Sequence, residues 1–240
     1  MMMYYAMLLI GLIYLVLMIV MRVQHGSNWQ ATVLKAFTSF FFLMMLGAAI
    51  LTERVHLQFA VFIGGGLLLG LLGDIWLDLK YLYPLDSDIW TMMGFLMFLV
   101  GHFFYLAAVF LTVGIQAAAL IAGLVGAIFA IIFIYAGEKP MHLAYGKFKT
   151  ISAVYGSALF FMAVYTLGCA ILLHNLGLLV MGIGGGLFLL SDLVLSNIYF
   201  GEGEHGPVWI AVNYVLYYAG QYMIASSVLW IGYYSRGDDI

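Results

Sequence analysis

Two aspartates fall inside stretches apolar enough to cross a bilayer: Asp74 in IGGGLLLGLLGDIWLD (63–78) and Asp192 in IGGGLFLLSDLVLSN (183–197). A carboxylate at the centre of a membrane helix costs about 2.5–3.5 kcal/mol on insertion scales, so each marks a site that function must explain. They occupy near-copies of one glycine-rich segment, 118 residues apart (192 − 74). Two carboxyl groups held close in a low dielectric do not both ionise, which leaves a neutral acid beside an anion near neutral pH. Such a pair can give and take protons at a reacting centre. Asp78, one turn after Asp74 on the same face, is expected nearer the interface and solvated.

Other polar residues follow helical spacing. Gly94, Phe98 and His102 form a stripe at i, i+4, i+8, with Tyr105 a turn onward. His102 there either serves a site or simply bonds a neighbouring helix. Asn213, Tyr217 and Gln221 make a second stripe, flanked by Tyr214, Tyr218 and Tyr222. Unpaired amides facing lipid are costly, so Asn213 and Gln221 should point into the protein. Lys35 has three outlets: snorkelling to the headgroups, binding a lipid phosphate, or pairing with an aspartate. The remaining histidines lie in or near loops without metal-ligand spacing, and no GxSxG, Walker A or HExxH motif occurs. No metal or other cofactor is implied by these residues.

The elements that must position these groups are membrane helices. The chain is 66% hydrophobic and 8% charged, with a mean hydropathy of +1.11. A soluble monomer could not hide that much apolar surface. Apolar runs of roughly 20 residues predict an all-α, polytopic membrane bundle of eight helices. The breaks fall at 22–30, 52–58, 79–88, 112–116, 136–149, 174–177 and 199–207. The break at TVGIQ (112–116) is weak, but a single helix across 90–136 would be improbably long. The first apolar run is read as a retained span, because it is longer than a signal peptide's and lacks a basic flank before it. Arg22, Lys80, Lys139, Lys147 and Lys149 lie in odd-numbered loops, and Lys35 starts the second span on that side. Arg54 and Arg236 lie opposite. The positive-inside rule then puts the odd-numbered loops in the cytoplasm and both termini outside. No basic patch suits nucleic acid, and the lone Cys169 excludes an internal disulfide.

The chain reads as one transmembrane domain (1–240) with internal repeats near 1–113 and 114–240. LGAAIL (46–51) parallels LGCAIL (167–172), and Gly101-His102 parallels Gly220-Gln221. Four spans separate each match, so the two four-helix repeats are expected to be parallel, with the third and seventh spans running the same way. Asp74 and Asp192 should then share a depth, five or six residues or ~8 Å from their helix ends. The glycines Gly64–Gly66, Gly70 and Gly73 match Gly182 and Gly184–Gly186. Close packing of these two helices through them would bring the aspartates together.

Taken in order, Trp29 with Lys35, Gly73-Asp74, Gly94…Phe98…His102…Tyr105, Ser191-Asp192 and the stripe ending Tyr218-Ala219-Gly220-Gln221 resemble the lysoplasmalogenase (YhhN-like) family of eight-span membrane proteins. The resemblance runs nearly the length of the chain, one short motif per helix. It departs at Ala36, where a proline often follows the lysine, and in the long loop 136–149. It implies hydrolysis of the vinyl-ether bond of lysoplasmalogens, giving a fatty aldehyde and glycerophosphoethanolamine or glycerophosphocholine. Asp74, Asp192 and His102 become the expected catalytic residues, and Lys35, Tyr105, Ser191, Asn213, Tyr217 and Gln221 the expected substrate contacts. The partners implied are a lysophospholipid substrate and membrane lipid, with the site near the cytoplasmic leaflet. Vinyl-ether cleavage starts with protonation at carbon and passes through an oxocarbenium ion, so it needs a neutral acid and an anion, as glycosidases do.

Two other readings use the same residues. A proton-coupled transporter also pairs repeats with intramembrane carboxylates, although these lie nearer one face than a midplane site would. A zinc-dependent lipid hydrolase could use Asp74, His102 and Asp192 as ligands. Counted along its helix, however, His102 sits ~12 Å deeper than the aspartates.

Overall fold

The computed structural model describes residues 1–202 and 206–232, so Arg236 lies outside the described residues. Eight long helices account for most of the chain: α1 (Met2–His25), α2 (Trp29–Thr52), α3 (Leu57–Leu82), α4 (Ser87–Val113), α5 (Ala117–Gly137), α6 (Lys149–Leu173), α7 (Leu176–Phe200) and α8 (Pro207–Ser226). No strand occurs among the described residues. Helices form because lipid offers no partner for backbone polar groups, and a helix satisfies them within itself.

The ends of the helices are written locally. Asn28, His56 and Asn175 accept the orphan N–H groups of Ala31, Phe59 and Leu178 at the starts of α2, α3 and α7. Gly114, at φ 70°, ends α4 at the weakest sequence break, so 90–136 is two helices.

Helices α1–α7 are each long and apolar enough to cross a membrane. The eighth is less apolar, since its inward stripe carries Asn213, Tyr217, Tyr218, Gln221 and Tyr222, all buried. Consecutive helices pair as α1–α2, α3–α4, α5–α6 and α7–α8. Contacts of α2 with α3, α4 with α6, α6 with α7, and α8 with α2 close six helices into a ring. Helix α1 leans on α2 and α8 from outside, and α5 leans on α6. Their outer faces, with Leu9, Ile13 and Val16 on α1 and Ile121, Val125 and Ile128 on α5, are exposed and wholly apolar, as a lipid boundary requires.

The glycine-rich segments do not pack α3 against α7. Gly66 and Gly73 face Tyr105 and Phe98 of α4, whereas Gly182 and Gly185 face Leu167 and Ala163 of α6. Two close backbone approaches recur. A Cβ on Gly101 would meet the Gly66 carbonyl at 3.2 Å, and one on Gly220 would meet the Gly184 carbonyl at 2.6 Å. Each antiparallel hairpin therefore draws its own helices together through glycine, since small residues let membrane helices approach. Glycine spacing marked a packing face in the sequence, but it did not name the partner.

Candidate active site

Helix α3 presents Asp74 and Asp78 one turn apart toward α2, where Thr32, Lys35 and Ser39 fall on a single face. Lys35 Nζ lies 3.2 Å from Asp74 Oδ1 and 3.1 Å from Asp78 Oδ1. Thr32 Oγ1 donates to Asp78 Oδ2 at 3.1 Å, and the Arg22 guanidinium pairs with the same oxygen. Ser39 Oγ and the Tyr217 hydroxyl donate to Asp74 Oδ2 at 2.6 and 2.7 Å. All four charged residues are at most 5% exposed, which makes a closed set of two cations and two anions.

Two expectations change here, and one left open is resolved. Asp78 is buried, not solvated, because two cations and a hydroxyl replace its water. Arg22 is not a loop residue; it lies in the last turn of α1 and turns inward. Of its three outlets, Lys35 takes the ion pair. Had a buried lysine no carboxylate beside it, the desolvation penalty would drive it out to the headgroups.

Asp192 has different surroundings. Its Oδ2 accepts a hydrogen bond from the Tyr155 hydroxyl, Ser191 Oγ lies 3.5 Å from Oδ1, and no cation pairs with it among the described residues. It is partly exposed, on the wall of a cavity that Asp74 also lines. Asp74 lies eight residues before the end of α3 at Leu82 (82 − 74), and Asp192 eight before the end of α7 at Phe200 (200 − 192). Both are thus ~12 Å from their helix ends, deeper than expected, because each helix runs past its sequence break.

The cavity offers about 150 Å³ to the centres of water-sized atoms, some ten times what one buried water needs. Its polar end carries Arg22, Lys35, Asp74, Ser191, Asp192, Asn213 and Tyr217. Its other arm runs between α5, α6 and α7 past Ala130, Phe133, Ile134, Leu159, Phe160 and Leu189, and is apolar. The loop between α5 and α6 covers one side. Leu143 bridges to Gly201, and the Tyr145 ring packs at a tilt on Phe200 with centroids 4.8 Å apart. Glu138 anchors that loop to Lys149, and this hydrogen bond holds its carboxyl below the usual carboxylate range. Burial pushes the Tyr145 hydroxyl up.

The α8 stripe supports the walls. Asn213 Nδ2 donates to the Ser191 carbonyl at 2.7 Å, fixing the turn of α7 that carries Asp192. Gln221 accepts from Tyr105 at 2.9 Å and reaches the Tyr217 oxygen at 3.3 Å, so Tyr105, Gln221 and Tyr217 form one relay ending on Asp74. Tyr105, Gln221 and His102 stand behind the cavity wall rather than on it.

His102 turns Nδ1 to the Phe98 carbonyl, and its buried Nε2 has no hydrogen-bond partner among the described residues. Its ring packs on Phe188 and Tyr155, at 5.2 and 5.4 Å between centroids. Three facing pairs of α3 and α4 (Gly66–Tyr105, Gly73–Phe98, Leu77–Gly94) each sum to 171. That register sets His102 opposite Leu69, five residues or roughly 7–8 Å from the level of Asp74 rather than 12 Å. Counting from helix ends had assumed that neighbouring helices end level. Even so, among the described residues no three of His, Cys, Asp and Glu converge as a metal-ion donor set.

Sequence reasoning missed Arg22, Ser39 and Tyr155, and named Tyr218, whose hydroxyl lies 2.9 Å from Ser39 Oγ, without giving it a role. Tyr155 did carry a signal: it stands 120 residues after Lys35 (155 − 35), the spacing of the matched halves. Ser39 lay one turn beyond Lys35 on its face. Nothing in the pattern distinguished Arg22 from an ordinary loop cation.

The family model described as the YhhN family matches residues 30–228. That span contains both aspartates, Lys35 and the whole α8 stripe, and leaves Arg22 outside. No curated protein and no solved structure matches the chain.

Proposed function

This chain belongs to the YhhN family, and we propose that it hydrolyses the vinyl-ether bond of lysoplasmalogens with Asp192 as proton donor and Asp74 as anion. The observation that carries the reading is one cavity, polar at one end and apolar along the other, with two carboxyl groups in unlike surroundings on its wall. A lysophospholipid has the same division into a polar head and a single apolar chain. Family membership accords with lysoplasmalogenase-like hydrolysis, and the residues supply the chemistry.

Asp74 faces three donors, one of them a cation, and no acceptor, so its surroundings suit a carboxylate. Among the described residues Asp192 faces no cation; the Tyr155 hydroxyl holds Oδ2 and leaves Oδ1 toward Ser191 and the cavity. A proton on Oδ1 passes to the alkenyl carbon remote from the ether oxygen. The double-bond electrons form the new C–H bond, and the carbon bonded to oxygen becomes an oxocarbenium centre stabilised by Asp74. Water adds there and returns a proton to Asp192. The resulting hemiacetal collapses, its hydroxyl proton moving to the departing glycerol oxygen. The sum is vinyl ether plus water giving aldehyde plus alcohol, with both aspartates restored. Lys35 fixes the Asp74 anion, and Asn213 and Ser191 fix Asp192. Under the charge rule the reaction takes place toward the cytoplasmic leaflet.

The test is aldehyde release by purified protein from a lysoplasmalogen, against its saturated-ether and ester analogues. Asp74→Asn and Asp192→Asn should each lower turnover by about 100-fold or more. Full activity in both variants would overturn the mechanism. Cleavage of the ester alone, without aldehyde, would overturn the substrate.

A further inference from the structure

Three basic side chains gather at the polar end of the cavity. Arg22 and Lys35 line it and share Asp78, Lys35 also meets Asp74, and Asp192 stands on the same wall. Lys80 has no carboxylate partner among the described residues and lies on the Tyr199 ring, 2.9 Å from its centroid. Tyr199 itself lines the cavity. Lys35 is committed to Asp74 and Asp78, so it is not the free cation of this end.

Arg22 retains free donor capacity. It lies on the cavity wall and is 3% exposed. One terminal nitrogen donates to Asp78, the other to Ser27 Oγ at 2.6 Å, and the buried Nε has no hydrogen-bond partner among the described residues. A guanidinium has five N–H donors in a planar fork, and an unmatched donor in a buried site is costly unless a ligand meets it. Ser27, Tyr81, Tyr199 and Tyr214 line the same end and add hydroxyl groups.

We propose that Arg22, with Ser27 and these tyrosines, is a subsite for a phosphodiester monoanion, the phosphate of a lysophospholipid headgroup. The identity of the lipid rests on the vinyl-ether reading; the anion chemistry does not. Spacing agrees. Arg22 pairs with Asp78, one helical turn or about 6 Å from the level of Asp74. In a lysoplasmalogen the reacting carbon and the phosphorus are six bonds apart, on the order of 7 Å at ordinary bond lengths. A phosphate on Arg22 thus sets the vinyl ether level with the aspartates and leaves the chain for the apolar arm.

The test is binding, so it stands apart from turnover. The non-cleavable 1-O-alkyl lysophosphatidylcholine and 1-O-alkylglycerol, which lacks the phosphate, are titrated into the purified full chain in detergent. Wild type should bind the phospholipid at least about tenfold more tightly. Arg22→Lys, which keeps the charge but loses the fork, should bring the two affinities within about threefold of each other by weakening the phospholipid alone. Arg22→Gln with Asp78→Asn, which removes the buried pair together, should do the same. Equal affinities in wild type, or equal loss of both ligands in both variants, would overturn the subsite. Glycerophosphocholine should compete with the phospholipid; competition by inorganic phosphate alone would overturn the headgroup assignment. A wild type that shows the binding preference yet releases no aldehyde from a lysoplasmalogen would refute the hydrolase reading and leave the subsite standing.

Discussion

Replacing Asp78 by Asn should destabilise the protein without touching the proposed chemistry directly. Asp78 is 1% exposed and is the one carboxylate shared by Arg22 and Lys35. Neutralising it leaves two buried cations facing the single charge of Asp74. Breaking a buried pair by removing one partner costs about 3–5 kcal/mol, because the remaining charge is left without compensation. At roughly 2–4 °C per kcal/mol for a chain of this size, the melting temperature should fall by about 6–20 °C. The protein carries its own probe. Cys169 is the sole cysteine and is fully buried, so a thiol-reactive fluorophore reports its exposure on heating. Lys35→Met added to Asp78→Asn restores the charge balance and should recover part of the loss, the pair being coupled through one oxygen. A fall under about 2 °C for the single variant would refute the closed charge set and return Asp78 to solvent.

Two further outcomes follow from the same geometry. Tyr155→Phe removes the hydroxyl that holds Asp192 Oδ2; at about 1.5–3 kcal/mol for a hydrogen bond to the carboxylate that Asp192 becomes as it gives up its proton, turnover of a lysoplasmalogen should fall by roughly 10–100-fold. The melting profile should barely move, since Tyr155 keeps its ring contacts with His102 and Phe95. Gly220→Ala puts a methyl 2.6 Å from the Gly184 carbonyl and should cost about 1–3 kcal/mol by overpacking, read as an earlier Cys169 transition. Gly186→Ala is the control, because among the described residues no neighbouring helix comes within 4 Å of its Cβ position. A lower melting temperature there would show that glycine content rather than close approach governs stability.

The amino-acid sequence alone determined the class of this protein and singled out the two carboxylates on which the proposed chemistry rests. Twenty-residue apolar runs between polar breaks can only become membrane helices, because lipid leaves the backbone no other way to satisfy its polar groups. An aspartate in such a run is so unfavourable that Asp74 and Asp192 stood out without any fold. The α8 stripe was legible for the same reason, and Asn213, Tyr217 and Gln221 do point inward. Partnership was not legible. Helical periodicity says which residues share a face, yet it does not say which face of which helix lies opposite. Hence the glycines of α3 were assigned to α7 when they meet α4, and Asp78 was assigned to water when it meets Arg22 and Lys35. The tertiary structure decided the feature that sets the two aspartates apart. By seating Lys35 and Tyr217 on Asp74 and only uncharged hydroxyls beside Asp192, long-range packing gave two residues in nearly identical sequence contexts different electrostatic surroundings.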